Sequence, residues 1–347
     1  MQDLWNYLKT VSKPIFLYGT GNGADKILDE LIRLNISVSG VFASDGFVRS
    51  RTFRGFPVQS YSAVKQQFGD IIVLVAFGSY LTDVIDNIKR IASENELYAP
   101  DVPVIPDGTI FNLEYARAHR AELEKVYNLL CDELSKKTFY NTVMYKLSGK
   151  LEYLFDCETD KSEIISKLGL HNTKNYIDLG AYNGDTVAEF LEYNANYEKI
   201  IAVEPDKKNF RKLSNNIGEL NGVELINAAV GEKNGEVLFR MSGGRNSAVG
   251  DTGAEIRQVC VDDFGITKSL YIKFDVEGAE ENAIRGAENT IKGVCPILNI
   301  AAYHKNSDIF SIPLLVKSIN NDYNVVMRHH PYIPAWDTNF YFINREV

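Results

Sequence analysis

The sequence is poor in the features that mark the specialised protein classes. Four cysteines, Cys131, Cys157, Cys260 and Cys295, are scattered through 347 residues with no CxxC pair. That speaks against a disulfide scaffold or a cysteine-built zinc cluster and fits reduced thiols in a cytoplasmic protein. No basic run interrupts a formal net charge of −9, so the positive footprint that holds a nucleic acid backbone is missing. The longest apolar run, Ile71–Phe77, is far too short to span a bilayer. The start, Met1-Gln2-Asp3-Leu4-Trp5, lacks the basic and apolar segments of a signal peptide. What remains is an ordinary globular composition at a length suited to two domains, and a charge that says nothing about small substrates.

Strands alternate with helices along most of the chain, the pattern of parallel βαβ units. The fold class is α/β: a Rossmann-like domain over 1–110, a helical connector over 111–170 and a second Rossmann-like domain over 171–347. In the first, Pro14–Tyr18 reads as a strand that runs into Gly19-Thr20-Gly21-Asn22-Gly23 and then a helix with Ile27, Leu28, Leu31 and Ile32 on one face. A strand over Ser37–Phe42 ends near Asp45, Ile71–Ala76 is a buried strand, and Val102–Ile105 is the last one. A glycine turn opening a helix, with an acid after the next strand, makes Gly19, Gly21, Gly23 and Asp45 a candidate nucleotide site. The alternative is a degenerate unit used for homodimer formation or substrate presentation.

The connector contains no proline, and Leu123, Val126, Tyr127, Leu130 and Leu134 recur at helical spacing. Within it, Ser135-Lys136-Lys137-Thr138-Phe139 reads as a solvated turn between helices.

The second domain opens on Tyr176-Ile177-Asp178-Leu179-Gly180-Ala181-Tyr182-Asn183-Gly184-Asp185, a strand, a tight turn and a helix start. Gly180 and Gly184 lack the Cβ atoms that would keep backbone N–H groups from a ligand. The next strand, Lys199–Val203, ends in Glu204, about 20 residues on, where an acid holds ribose hydroxyls. Asp178, Gly180, Ala181, Gly184, Asp185 and Glu204 are therefore cofactor-binding candidates, with Asp206 as the cap of the following helix. Asn234-Gly235 predicts a hairpin, and the glycine-rich Met241–Gly253 a loop. In the apolar strand Leu270–Val276, period-two alternation puts Lys273 and Asp275 on one face. Charges there are costly unless they meet each other or a ligand. Glu280 reads as an acid decorating a helix N-terminus. A last strand, Asn339–Ile343, lies antiparallel beside Tyr323–Arg328.

Asp178–Asp185, Val203-Glu204-Pro205, Ala229-Val230-Gly231, Val261-Asp262-Asp263 and Lys273–Glu280 resemble, in order and spacing over about 171–305, the FkbM-type methyltransferases. The resemblance implies a seven-stranded class I methyltransferase sheet, S-adenosylmethionine as cofactor, and transfer to a hydroxyl of a carbohydrate or related metabolite such as a nucleotide sugar or glycolipid. Tyr18-Gly19-Thr20-Gly21 and Gly55-Phe56-Pro57-Val58 resemble the small nucleotide-binding domain of sugar N-acyltransferases. Taking a proton from a hydroxyl calls for a base of near-neutral pKa. His304, after the strand Pro296–Ala301, is the candidate, with Asp275 as orienting or alternative carboxylate and as a cofactor contact. A divalent metal on Asp275, His304 and His329 or His330 is the minor alternative. Rival readings are an NAD-dependent oxidoreductase, which leaves the acidic stretch Asp275–Glu280 unexplained, and a non-catalytic nucleotide-sugar-binding module.

Overall fold

The computed structural model describes residues 2–48, 51–105, 109–240, 248–249 and 253–344. The first sheet contains β1 (Ile15–Tyr18), β2 (Gly40–Ala43), β3 (Thr52–Phe53), β4 (Phe56–Ser60), β5 (Ile72–Val75) and β6 (Glu96–Tyr98), in the order β3-β4-β2-β1-β5-β6. Every neighbouring pair is parallel except β3–β4. β1 and β5 are buried along their whole length, as unbroken apolar runs are when helices cover both faces of a parallel sheet. The strand expected at Val102–Ile105 does not form, because β6 holds the edge. Instead Lys26 Nζ donates to the Pro103 and Val104 carbonyls at 3.1 and 2.5 Å, and the Ile105 N–H donates to the His304 carbonyl at 3.0 Å.

The connecting stretch is helical over Leu113–Ala118, Arg120–Leu129, Glu133–Ser148, Glu152–Phe155 and Lys161–Leu168. The solvated turn expected at Ser135–Phe139 lies instead inside the longest of these, with Ser135, Thr138 and Phe139 buried. The cause is Arg328, fully buried on a distant strand. Its guanidinium donates to Ser135 Oγ at 2.8 Å, Asp132 Oδ2 at 2.9 Å and Glu163 Oε2 at 2.8 Å. A buried guanidinium must spend its donors on partners, and this one pins the connector to the second sheet.

That sheet is built from β7 (Asn175–Leu179), β8 (Lys199–Val203), β9 (Val223–Ile226), β14 (Leu270–Phe274), β15 (Ile297–Ala301), β16 (Asn324–His329) and β17 (Thr338–Ile343), in the order β16-β17-β15-β14-β7-β8-β9. β17 is antiparallel to both its neighbours and the other pairs are parallel. The chain lays down β7, β8 and β9 outward, then returns to β14 beside β7. An open sheet binds ligands above the carboxyl ends of the strands at such a reversal.

Between β9 and β14 a small sheet is inserted, with β10 (Ala229–Val230), β11 (Gly235–Arg240), β12 (Ala248–Val249) and β13 (Ala254–Val259) in the order β10-β13-β11-β12. The hairpin expected at Asn234-Gly235 is absent, since β10 and β11 both pair with β13 rather than with each other. Asn234 serves another purpose: its Oδ1 accepts the Cys260 N–H at 2.9 Å. Of the loop expected at 241–253, only Ala248–Val249 and Gly253 are among the described residues. Among the described residues no helix is long and apolar enough to cross a membrane.

Candidate functional site

A cavity of about 580 Å³ opens above the carboxyl ends of β7 and β14. Gly180, Asp185, Glu204, Asp275 and His304 line it. Asp178, Ala181 and Gly184 are not part of the lining and are buried behind it.

The turn after β7 is shaped by packing as much as by any ligand. Gly180 has φ +86°, and a Cβ there would lie 1.8 Å from the Asp275 carbonyl oxygen. The glycine therefore lets the end of β14 approach β7, which is a different reason from clearing a path for a ligand. At Gly184 a Cβ would press on Leu213 and Ile217 at 3.1–3.4 Å. Tyr182 adopts φ +47°, and its N–H donates to Glu204 Oε2 at 2.9 Å. Glu204 Oε1 accepts the Asp206 N–H at 2.9 Å. Burial pushes the Glu204 carboxyl up to about 7 against those two bonds. A carboxylate has about four lone-pair sites, so this side chain keeps acceptor capacity toward the cavity. Asp206 caps the helix Lys207–Ile217 as expected, accepting from Lys208 N and Asn209 N.

The charges on β14 meet each other. Lys273 Nζ lies 3.1 Å from Asp275 Oδ2 and 3.8 Å from Asp178 Oδ1. Asp178 also accepts from the Thr186 hydroxyl, and burial raises its pKa. Burial works against the Asp275 carboxylate too, but Lys273 and His304 outweigh it and hold the group below its ordinary value. The Tyr303 hydroxyl donates to Asp275 Oδ1 at 3.1 Å.

His304 sits in a nest of acids. Its Nδ1 lies 3.0 Å from Glu280 Oε1, and its Nε2 lies 3.5 Å from Asp275 Oδ1 and 3.6 Å from Glu277 Oε2. Burial alone would strip its proton, but Glu280, Glu277 and Asp275 together raise the imidazolium to about 10. A histidine already protonated at neutral pH accepts no further proton, so the expectation of His304 as general base does not fit its surroundings. Glu280 is equally far from a surface decoration. It is buried, it accepts the Val276 and Gly278 N–H groups at 3.0 and 3.3 Å, and it faces His304.

The other histidines part company. His329 is buried with Nδ1 2.8 Å from the Thr338 hydroxyl, and burial drives its pKa down to about 3. His330 lines the cavity, held by the Thr159 carbonyl and the Tyr341 hydroxyl at 2.9 Å each. The metal set Asp275, His304 and His329 is not brought together. Among the described residues the one group with convergent ligand atoms is Glu280, His304 and Asp308, within 4.8 Å of one another, where the proton on His304 takes the place of a cation.

The first glycine turn is satisfied internally. A Cβ at Gly19 would strike Phe77 at 2.7 Å, and one at Gly23 the Ala76 carbonyl oxygen at 2.5 Å. Gly21 caps the helix Asn22–Arg33 with open space around it. Asp45 accepts from the Ser62 N–H at 3.0 Å and hydroxyl at 2.5 Å. These four residues stand apart from the cavity described above.

Sequence reasoning missed the far end of the cavity. Tyr80, on the loop after β5, and Tyr332 and Trp336, between β16 and β17, contribute rings there, beside Asp160, Lys161 and Asp337. The two loops are tied by paired bonds, Ser79 N–H to the Ile333 carbonyl at 2.8 Å and Ile333 N–H to the Ser79 carbonyl at 2.9 Å. Aromatics beside Pro331 and Pro334 just past a strand were the available signal.

Residues 178–333 match the family model of the methyltransferase FkbM domain. The crystal structure of methyltransferase FkbM from Methylobacillus flagellatus KT is similar over 96% of this chain and 90% of that one, with a TM-score of 0.71 and 20% identity. A precorrin-6y C5,15-methyltransferase from Geobacter metallireducens GS-15 overlaps 53% of this chain and 87% of that one, with a TM-score of 0.35 and 14% identity. No curated protein matches the chain. Residues 178–333 thus carry a methyltransferase FkbM domain, and the fold of both sheets is shared with a solved structure of that name.

Proposed function

We propose that the chain is an S-adenosylmethionine-dependent O-methyltransferase whose acceptor is a carbohydrate hydroxyl. One observation carries the cofactor reading: the cavity over the β7 turn is lined by seven carboxylates and two lysines. Such a lining favours a cofactor with sulfonium and ammonium charges and opposes the pyrophosphate of a dinucleotide. Glu204 accepts from the ribose diol in this reading, which the sequence spacing and its position in the cavity lining support. When bound, the sulfonium supplies an electrophilic methyl group.

The chain's own residues then position an acceptor and handle one proton. Asp275, with one oxygen toward Lys273 and the other toward Tyr303 and His304, is the carboxylate placed to accept the hydroxyl proton. His304 and Lys273 hold Asp275 ionised and below its ordinary pKa, so it is a weak base that takes the proton only as the forming C–O bond turns the hydroxyl into an acidic oxonium. His304 is thus a positioning residue, and Asp275, the alternative carboxylate, takes the base role in its stead. The test is mass spectrometry of a panel of saccharides after incubation with enzyme and methyl-labelled donor. A labelled O-methyl sugar, lost in Asp275→Asn at unchanged cofactor affinity, is expected; label on nitrogen or carbon, or full turnover by Asp275→Asn, overturns the reading.

A further inference from the structure

The cavity is longer than its cofactor end requires. It runs from Glu204 past Asp275 and on to a wall formed by Tyr80, Tyr332 and Trp336. Ring centroids are 5.7 Å apart for Tyr80–Tyr332 and 5.6 Å for Tyr332–Trp336, within the range of interacting aromatic pairs. Rings that merely glue two loops together are buried by the contact, yet Tyr80 keeps 61% of its surface exposed and the other two are half-buried. Gly78 explains how the wall is made, since any Cβ there would lie 2.7 Å from Trp336 and 3.0 Å from Tyr332. Around the rings stand carboxylates and an ammonium: Lys161 Nζ lies 3.5 Å from Asp337 Oδ2 and 3.3 Å from Glu189 Oε2.

We infer that this interdomain end of the cavity is the acceptor subsite, and that it binds a pyranose ring. A pyranose has an apolar C–H face and a belt of hydroxyls. The aromatic wall covers the first, and Asp160, Asp337 and Lys161 bond the second. The subsite is continuous with the cofactor end through Asp275, which places a bound hydroxyl beside the carboxylate assigned as base. The first sheet thereby acquires a function. Its loop after β5 carries Tyr80 into the site, and the paired Ser79–Ile333 bonds fix that loop to the partner wall. The assignment rests on the methyltransferase reading for what fills the other end.

The chain has two tryptophans, and Trp5 is buried in the first core, so Trp336 emission reports on this wall. The intact chain is titrated with methyl pyranosides of glucose, galactose and mannose, with sorbitol as an open-chain control, with and without S-adenosylhomocysteine. UDP-glucose and UDP are run in parallel, to tell a nucleotide-borne ring from a free one. Expected is a saturable emission change with at least one pyranoside or with UDP-glucose, absent with sorbitol and UDP and abolished by Trp336→Phe. Tyr80→Ala should weaken it roughly five- to tenfold, and Tyr80→Phe should restore it, at unchanged S-adenosylhomocysteine affinity by calorimetry. No response to any ring, an equal response to UDP alone, or wild-type affinity in Tyr80→Ala overturns the inference. Failure of the methyltransferase reading shows separately, as absence of heat from S-adenosylhomocysteine, while the pyranoside arms without it still decide the subsite.

Discussion

At the residue scale, the charge on His304 is set by three carboxylates rather than by its own chemistry. With a folded-state pKa of about 10 against an ordinary 6.5, the histidine binds its proton more tightly in the folded chain. The stabilisation is complete below pH 6.5 and is lost as pH rises toward 10. Urea unfolding across that window should show stability falling with pH in the wild type and a shallower fall in His304→Gln; parallel slopes would remove the imidazolium from the account. Glu204 titrates in the opposite sense. Its carboxyl, raised to about 7 by burial, becomes a full acceptor only above that pH. S-adenosylhomocysteine affinity should therefore rise as pH crosses 7, and Glu204→Gln should lower it roughly tenfold, the value of one charge-assisted hydrogen bond, and flatten the curve. Calorimetry over the same range checks both.

At the scale of elements, local signals carried well and long-range ones did not. The β7 strand, its turn, the Asp206 cap and the antiparallel last strand were legible because each is decided within a few residues. Ser135 was misread because its fate is decided by Arg328, 193 residues along the chain, and no local pattern announces that partner. Glu280 was misread for the same reason, as His304 arrives on a separate element. At Gly180 the sequence shows that a Cβ is unwanted but not that the Asp275 carbonyl is what it would strike. The left-handed φ of Gly180 and the Asp275 carbonyl together predict that Gly180→Ala costs about 3 kcal/mol or more, by forcing β7 and β14 apart. Gly21, with φ −94° and open space around it, should lose no more than about 1 kcal/mol to alanine, the cost of a poorer N-cap. Thermal melts of the two variants form a matched pair, and equal losses would contradict the packing argument. Arg328→Leu, which strips three partners of one buried cation, should cost about 3 kcal/mol, read as a lower urea midpoint with the same m-value.

At the scale of the whole molecule, two sheets share one site. The bonds Ser79–Ile333 and Ile105–His304 stitch the first unit to the second, and the Lys146–Asp101 pair, 2.8 Å long and nearly buried, ties the connector to the first. The alternation of strands and helices revealed both units. The sequence could not show that they meet over the reversal point, because the residues that meet there lie about 250 positions apart, as Tyr80 and Tyr332 do. Coupled units predict one cooperative transition. A cofactor analogue at a hundred times its Kd should move that whole transition by about 2.7 kcal/mol; two transitions, only one of them shifted, would show units that fold independently.

Isothermal titration calorimetry of the intact chain with S-adenosylhomocysteine, and separately with NAD, tests the central claim most directly. The account predicts one S-adenosylhomocysteine per chain, weakened by Glu204→Gln, and no heat from NAD. Binding of NAD instead, or S-adenosylhomocysteine binding indifferent to Glu204→Gln, would contradict it.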